Sequence, residues 1–252
     1  MTTTTFSEGV RSYIYSDRSM LNVSIPAVIE TYNPSTQKCV CTPLVNHNRT
    51  ALAEVGNGTS VPYPTIVDVP VIFPASNLSC ITFPLNKGDT VLLVFSQRSL
   101  DNWLSTTEAT QINPQDTRRH DLSDAVAIPG LFSFPRAPND PLKHTLIHDT
   151  DDLVITHNLN TSNENEVRLK ADGSIRMSAG ANTKLTLNLD GSVVLDAPTS
   201  LTVTAPVTTW IGDINQQGTF TSDTDVVANG TSLDTHTHGG VQTGGGSTGA
   251  PN

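Results

Sequence analysis

The sequence is short of charge, of cysteine and of aromatic side chains, and each shortage closes off a class of protein. Charged residues make up 15% of the 252, and acidic ones outnumber basic ones 24 to 14, for a net charge of −10. A phosphate backbone needs clustered Lys and Arg, so no nucleic-acid partner is expected. Electrostatic attachment to anionic lipid is excluded on the same ground. No apolar run approaches the ~20 residues of a transmembrane helix. Met1 and the threonines behind it supply no basic segment leading into an apolar stretch, so no secretory signal peptide is expected. Three cysteines, Cys39, Cys41 and Cys80, make an odd count that suits cytosolic synthesis with free thiols. Cys39 and Cys41 stand two apart on an expected strand and so face one side, as small core residues. A Cys-x-Cys metal site would need a second pair, and the sequence holds none.

Apolar residues are also scarce, at 36%, below the globular average. A disordered chain would carry more charge and fewer β-branched residues. Here Thr, Ser, Asn and Gly fill the deficit, and Thr and Val favour pleated surfaces. The composition predicts strands that bury little per chain, as in fibres and solenoids.

The composition changes near residue 145. Of the 16 prolines, only Pro198, Pro206 and Pro251 lie beyond it, and the aromatics beyond it are Trp210 and Phe220. Residues 1–20 form an N-terminal segment. A short helix is predicted over 7–20, with Val10, Tyr13 and Ile14 on one face. Residues 21–145 carry strand signals. Val23, Ile25, Ala27 and Ile29 alternate with other residues. Asn33-Pro34-Ser35 is a turn, and Val40, Thr42 and Leu44 alternate on the return strand. Residues 46–64 read as a polar loop, Ile66 to Phe73 as a strand, and Cys80 to Phe95 as a hairpin turning at Asn86-Lys87-Gly88-Asp89. Short strands with varied loops over this length predict a five-stranded OB-type barrel.

Residues 146–235 differ. Strand-like pieces recur at 167–170, 175–177, 185–189, 193–195 and 201–204, and Asp172-Gly173-Ser174 and Asp190-Gly191-Ser192 are matching turns 18 residues apart. A repeated strand–turn–strand unit predicts a β-solenoid. One narrow chain of such strands leaves its edges open, whereas three wound together close them. The expected fold class is therefore all-β, a barrel followed by an intertwined trimeric β-helix needle. No Lys or Arg follows Lys184, so the needle's end is an acidic, solvated face.

Residues 236–252 form the expected tip. In Thr235-His236-Thr237-His238-Gly239-Gly240 the two histidines lie two apart, so on an extended chain both point to one side, with Cα atoms roughly 7 Å apart. Two ligands hold a divalent metal poorly. In a parallel homotrimer His236 and His238 arrive three times around the axis, as six imidazole nitrogens in two stacked triangles. That octahedron disfavours zinc, which takes four ligands in structural sites. Imidazole suits iron and nickel, and Fe2+, one per trimer, is the expected ion. With every position filled the metal is structural, and its binding free energy adds to trimer stability. The glycines at 239, 240 and 244–246 let the backbone turn tightly at a crowded axis.

In these features the sequence resembles the membrane-piercing spike proteins of contractile-tailed bacteriophages. The resemblance rests on His236-x-His238 with its Gly-rich continuation, on the Asp-Gly-Ser repeats, and on three stretches of the first half. Those are Pro84 to Asp89, Phe95 to Trp103, and Arg119 to Ala125 ending at Ile128-Pro129-Gly130. It implies an OB-fold barrel under the baseplate hub and tail tube, a triple-stranded β-helix, and an iron at the tip. It implies a virion protein that punctures the host outer membrane as the tail contracts, by mechanical contact and not by catalysis. Two relatives in role stay open, the spike of a type VI-like contractile secretion system and a receptor-binding tail fibre. Fibres end in bulbous domains with exposed aromatics, and this chain ends in a polar, Gly-rich segment.

Other chemistry is thin. Arg118-Arg119-His120-Asp121 has no accompanying nucleophile or acidic pair and reads as a loop salt bridge, within or between protomers. Asp149-Thr150-Asp151-Asp152 lacks the Gly and the terminal Glu of a calcium loop. His144, His148 and His157 are spread over the junction and read as surface or packing residues.

Overall fold

Thr5 and Glu8 start the first helix reciprocally. The Thr5 backbone N–H donates to the Glu8 carboxylate at 2.7 Å, and the Glu8 N–H donates back to the Thr5 hydroxyl at 3.4 Å. This is a capping box, and the helix that follows, α1, spans Phe6–Ser19. The computed structural model describes residues 5–19, 21–49, 59–137, 151–237, 240 and 244. The chain divides into two compact units, Met1–Pro198 and Thr199–Asn252. The composition boundary near 145 lies outside the described residues.

In the first unit α1 is followed by β1 (Ser24–Asn33), β2 (Lys38–Pro43), β3 (His47–Arg49), β4 (Thr59–Val61), β5 (Ile66–Pro70), β6 (Thr90–Phe95), the short helix α2 (Asp101–Ser105) and β7 (Ala125–Pro129). Five of these strands form one antiparallel sheet in the order β5-β2-β1-β6-β7. The sheet curls until its ends meet, because Val71, just past β5, bridges Ala127 in β7, and the Ile72 N–H donates to the Ala127 carbonyl at 2.9 Å. Two bulges help it bend. One lies between Ile29 and Thr31 in β1. The other lies in β5 opposite Cys39 and Cys41, where Asp68 has φ 57°. The buried interior holds Ala27, Ile29, Cys39, Cys41, Val69, Val91, Leu93 and Ala127. The result is an OB-like curled sheet. The two cysteines lie in its core, as expected. On β2 it is Cys39, Cys41 and Pro43 that point inward, so Val40 and Thr42 line the other side.

Three local expectations for this region are corrected. The stretch before Asn86 is not a strand. Pro84 interrupts it, and the turn docks on β1 instead, with Gly88 N–H donating to Ile29 O and Ile29 N–H to Asp89 O, both at 2.9 Å. The expected polar loop over 46–64 contains the paired strands β3 and β4. The strand expected over Ile66 to Phe73 ends at Pro70.

A second sheet follows from β8 (Leu153–His157), β9 (Asn165–Leu169), β10 (Ile175–Ala179), β11 (Thr183–Leu187) and β12 (Val193–Asp196), in the order β12-β11-β10-β9-β8. Within one chain these strands form an antiparallel meander, because each short turn returns the chain beside itself. The two matching turns superpose in chemistry. Gly173 and Gly191 take φ of 84° and 85°, a conformation open to glycine. Asp172 and Asp190 each accept the N–H of the serine two residues on, at 2.9 Å.

In the second unit β13 (Val227–Ala228) and β14 (Thr231–Ser232) form a small hairpin. Asn229 and Gly230 both have positive φ, 50° and 81°, as a two-residue hairpin turn requires. The strand expected at Leu201 to Thr204 carries no strand pairing within the single chain.

Candidate metal-binding tip and the surfaces that support it

The β13–β14 hairpin delivers His236. The Leu233 N–H donates to Val226 O at 2.9 Å. The Asp234 N–H donates to the Asp225 carboxylate at 3.1 Å, and the Thr235 N–H to the Ser232 hydroxyl at 2.9 Å. The Asp225 carboxyl is held below its usual range, chiefly by a hydrogen bond from Ser232 and then by backbone N–H groups. The turn after β14 is thereby closed, and His236 leaves it with its Nδ1 donating to Leu233 O at 3.1 Å. A carbonyl can only accept, so this contact puts the proton on Nδ1 and the lone pair on Nε2, the form in which imidazole binds a metal. A neutral imidazole of this kind suits a divalent ion of the iron–nickel kind. His238, the second expected ligand, lies outside the described residues. Among the described residues no group of three or more His, Cys, Asp or Glu is gathered within one chain to hold a metal.

The meander of the first unit has two unlike faces. On one, Leu153, Leu169, Ile175, Leu187 and Val193 stand in register across all five strands. Beside them Ile155, Val167, Met177, Leu185 and Leu195 form a second row. Most of these side chains are exposed, and the second row floors an open groove of about 380 Å³. The opposite face carries charge, and Glu166, Arg168 and Ser178 on it are buried. Glu166 bridges Arg168 and Arg176, Arg168 also pairs with Asp152, and the side chains of Glu166 and Asp152 are 1% exposed. Burial pushes the Glu166 carboxyl up, but the hydrogen bonds from Arg168 and Arg176 outweigh it and hold the group below its ordinary value. Sequence reading missed this network. Its signal was present in Glu166-Val167-Arg168-Leu169, where charged and apolar residues alternate.

The remaining sequence candidates resolve as structure. Arg118 gathers Asp101, Asp116 and Asp124 within its own chain, at 2.7, 2.9 and 3.0 Å. This ties the loop after β6 to the start of β7. Asp152 serves Arg168 and the Ala171 N–H, so the acidic stretch around it is structural as far as it is described. Asp149, Thr150, His144 and His148 lie outside the described residues. His157 ends β8 in register with Asn165. No helix among the described residues is long and apolar enough to cross a membrane.

Residues 25–130, the span of the curled sheet, match the family described as the phage protein Gp138 N-terminal domain. Residues 230–252, which begin in the β13–β14 turn and include both histidines, match the GpV apex motif. Both matches are to the phage baseplate spike family, over two separate segments of the chain. Members of that family are structural, generally non-catalytic tail components of the virion, and the family implies partners in the baseplate. No curated protein matches the sequence.

Proposed function

We propose that this spike is the central, non-catalytic needle of a contractile phage tail. It acts as a parallel homotrimer that punctures the host bacterial outer membrane mechanically. The barrel of residues 21–145 seats under the hub and tail tube, residues 146–235 wind with two other copies into a triple-stranded β-helix, and residues 236–252 form the tip. Three copies of His236 and His238 hold one Fe2+ on the axis, through six nitrogens. When bound, the ion supplies a structural cross-link between chains. The chain's own part is to present the His236 imidazole in the correct tautomer at the end of a closed hairpin.

The observation that carries this reading is the pair of apolar rows on the uncovered face of the meander. Ten side chains in register across five strands, seven of them left exposed to water, are a large unfavourable exposure. Copies of the same face bury them. In the second unit Leu201, Val203, Val207 and Ile211 repeat the theme at even spacings, and Ile211 is 99% exposed. Sedimentation at micromolar concentration tests the assembly. A single trimeric species is expected, and a folded monomer at that concentration overturns the proposal.

A further inference from the structure

The tip hairpin holds more hydrogen bonds than a four-residue ladder needs, and they run in one direction, toward His236. Asp225 accepts the Asp234 N–H at 3.1 Å. The Ser232 hydroxyl oxygen accepts the Thr235 N–H at 2.9 Å. Asp225 and Ser232 thus immobilise consecutive amides, at 234 and 235, in the turn whose carbonyl at Leu233 receives the His236 Nδ1–H at 3.1 Å. The carboxylate and the hydroxyl each fix one amide of the turn, and the turn orders the imidazole. Ser222 also touches the hairpin, through its hydroxyl to the Asp225 carbonyl at 3.3 Å. That contact lies outside the chain of bonds that ends at the ring.

We propose that Asp225 and Ser232 are positioning residues for the metal, setting the orientation and tautomer of His236 before the ion arrives. This rests on the reading of His236 as a ligand and adds a supporting shell to it. Partners that orient a ligating histidine change metal affinity without themselves touching the metal. A preformed hairpin also lets the ion be captured with little further ordering of the chain.

The test uses the full-length spike, loaded anaerobically with Fe2+ alone and then challenged with excess of a coloured ferrous chelator. Ser232→Ala and Asp225→Ala are expected to take up one iron per trimer at saturation and to lose it about 10–100-fold faster than the natural protein. Ser232→Thr keeps the hydroxyl and is expected to release iron at the natural rate. Ser222→Ala, which loosens the hairpin without touching the chain of bonds, is expected to do the same. Release at the natural rate from both alanine variants overturns the positioning role. Equal acceleration by Ser222→Ala also overturns it, because the effect would then be general loosening. A natural spike that takes up no iron overturns the metal reading itself, a distinct result.

Discussion

Arg168 and Arg176 stand directly opposite one another on neighbouring strands of the meander, and the Glu166 carboxylate reaches both, at 2.9 and 2.7 Å. Two like charges across a ladder repel, so the shared carboxylate is what makes the pair tolerable. Removing it leaves two guanidinium groups without their common partner on a buried face. Glu166→Ala is expected to destabilise the protein by about 3–5 kcal/mol. Lys38→Ala breaks the exposed pair with Asp68 and is expected to cost under about 1 kcal/mol. Denaturant unfolding of the two variants side by side checks the contrast.

Acid should loosen the needle's turns. The Asp172 carboxyl is held well below its ordinary value by Lys170 and then by Ser174, and Asp190 is held down by Ser192. A carboxyl depressed in the folded state contributes stability above its unfolded pKa, near ~4, and that contribution is lost as pH falls through the lower folded value. Glu166 adds to the same trend. Thermal melting should be level between about pH 7 and 5 and fall progressively below about pH 4. Ser192→Ala should make that fall shallower.

The two Asp-Gly-Ser turns should respond unequally to the same substitution. A Cβ at Gly173 would lie 2.9 Å from the Leu189 Cδ1, whereas one at Gly191 would meet nothing within 4 Å. Both positions have positive φ, so alanine costs about 1–2 kcal/mol at either. Gly173→Ala should cost more than Gly191→Ala, and Leu189→Ala in the same chain should remove the excess. Melting temperatures of these three variants, with Leu189→Ala alone as the reference, decide this.

Much of the barrel was legible because its signals are local. Ile25, Ala27 and Ile29 alternate, Asn33-Pro34-Ser35 turns the chain, and the two cysteines share a face. The hairpin assigned to residues 80–95 failed for a long-range reason. The turn at Gly88 bonds to Ile29 in β1, a partner the local sequence does not announce. The Asp-Gly-Ser turns were legible because glycine at positive φ and an aspartate accepting from the next-but-one amide are sequence properties. Whether the strands between them coil or meander depends on which strand pairs with which, and the same pattern allows both. At the tip, the spacing of His236 and His238 could be read directly. The support from Asp225 and Ser232 could not, because it depends on a fold-back set by Asn229 and Gly230.

The arginine cluster of the first unit offers an independent check on the barrel. Asp124 is buried, accepts the Leu100 N–H at 2.9 Å and pairs with Arg118 at 3.0 Å. Arg118→Met strands that carboxylate and is expected to lower the melting temperature of the protein. The tip should be untouched, so iron content per chain should stay at the natural value.

The central claim is a trimer closed by one axial ion, and native mass spectrometry of the full-length spike loaded with Fe2+ tests it most directly. The expected species has the mass of three chains plus one iron, and His236→Ala with His238→Ala should give three chains and no iron. A folded monomer, or three irons on a trimer, would contradict the account.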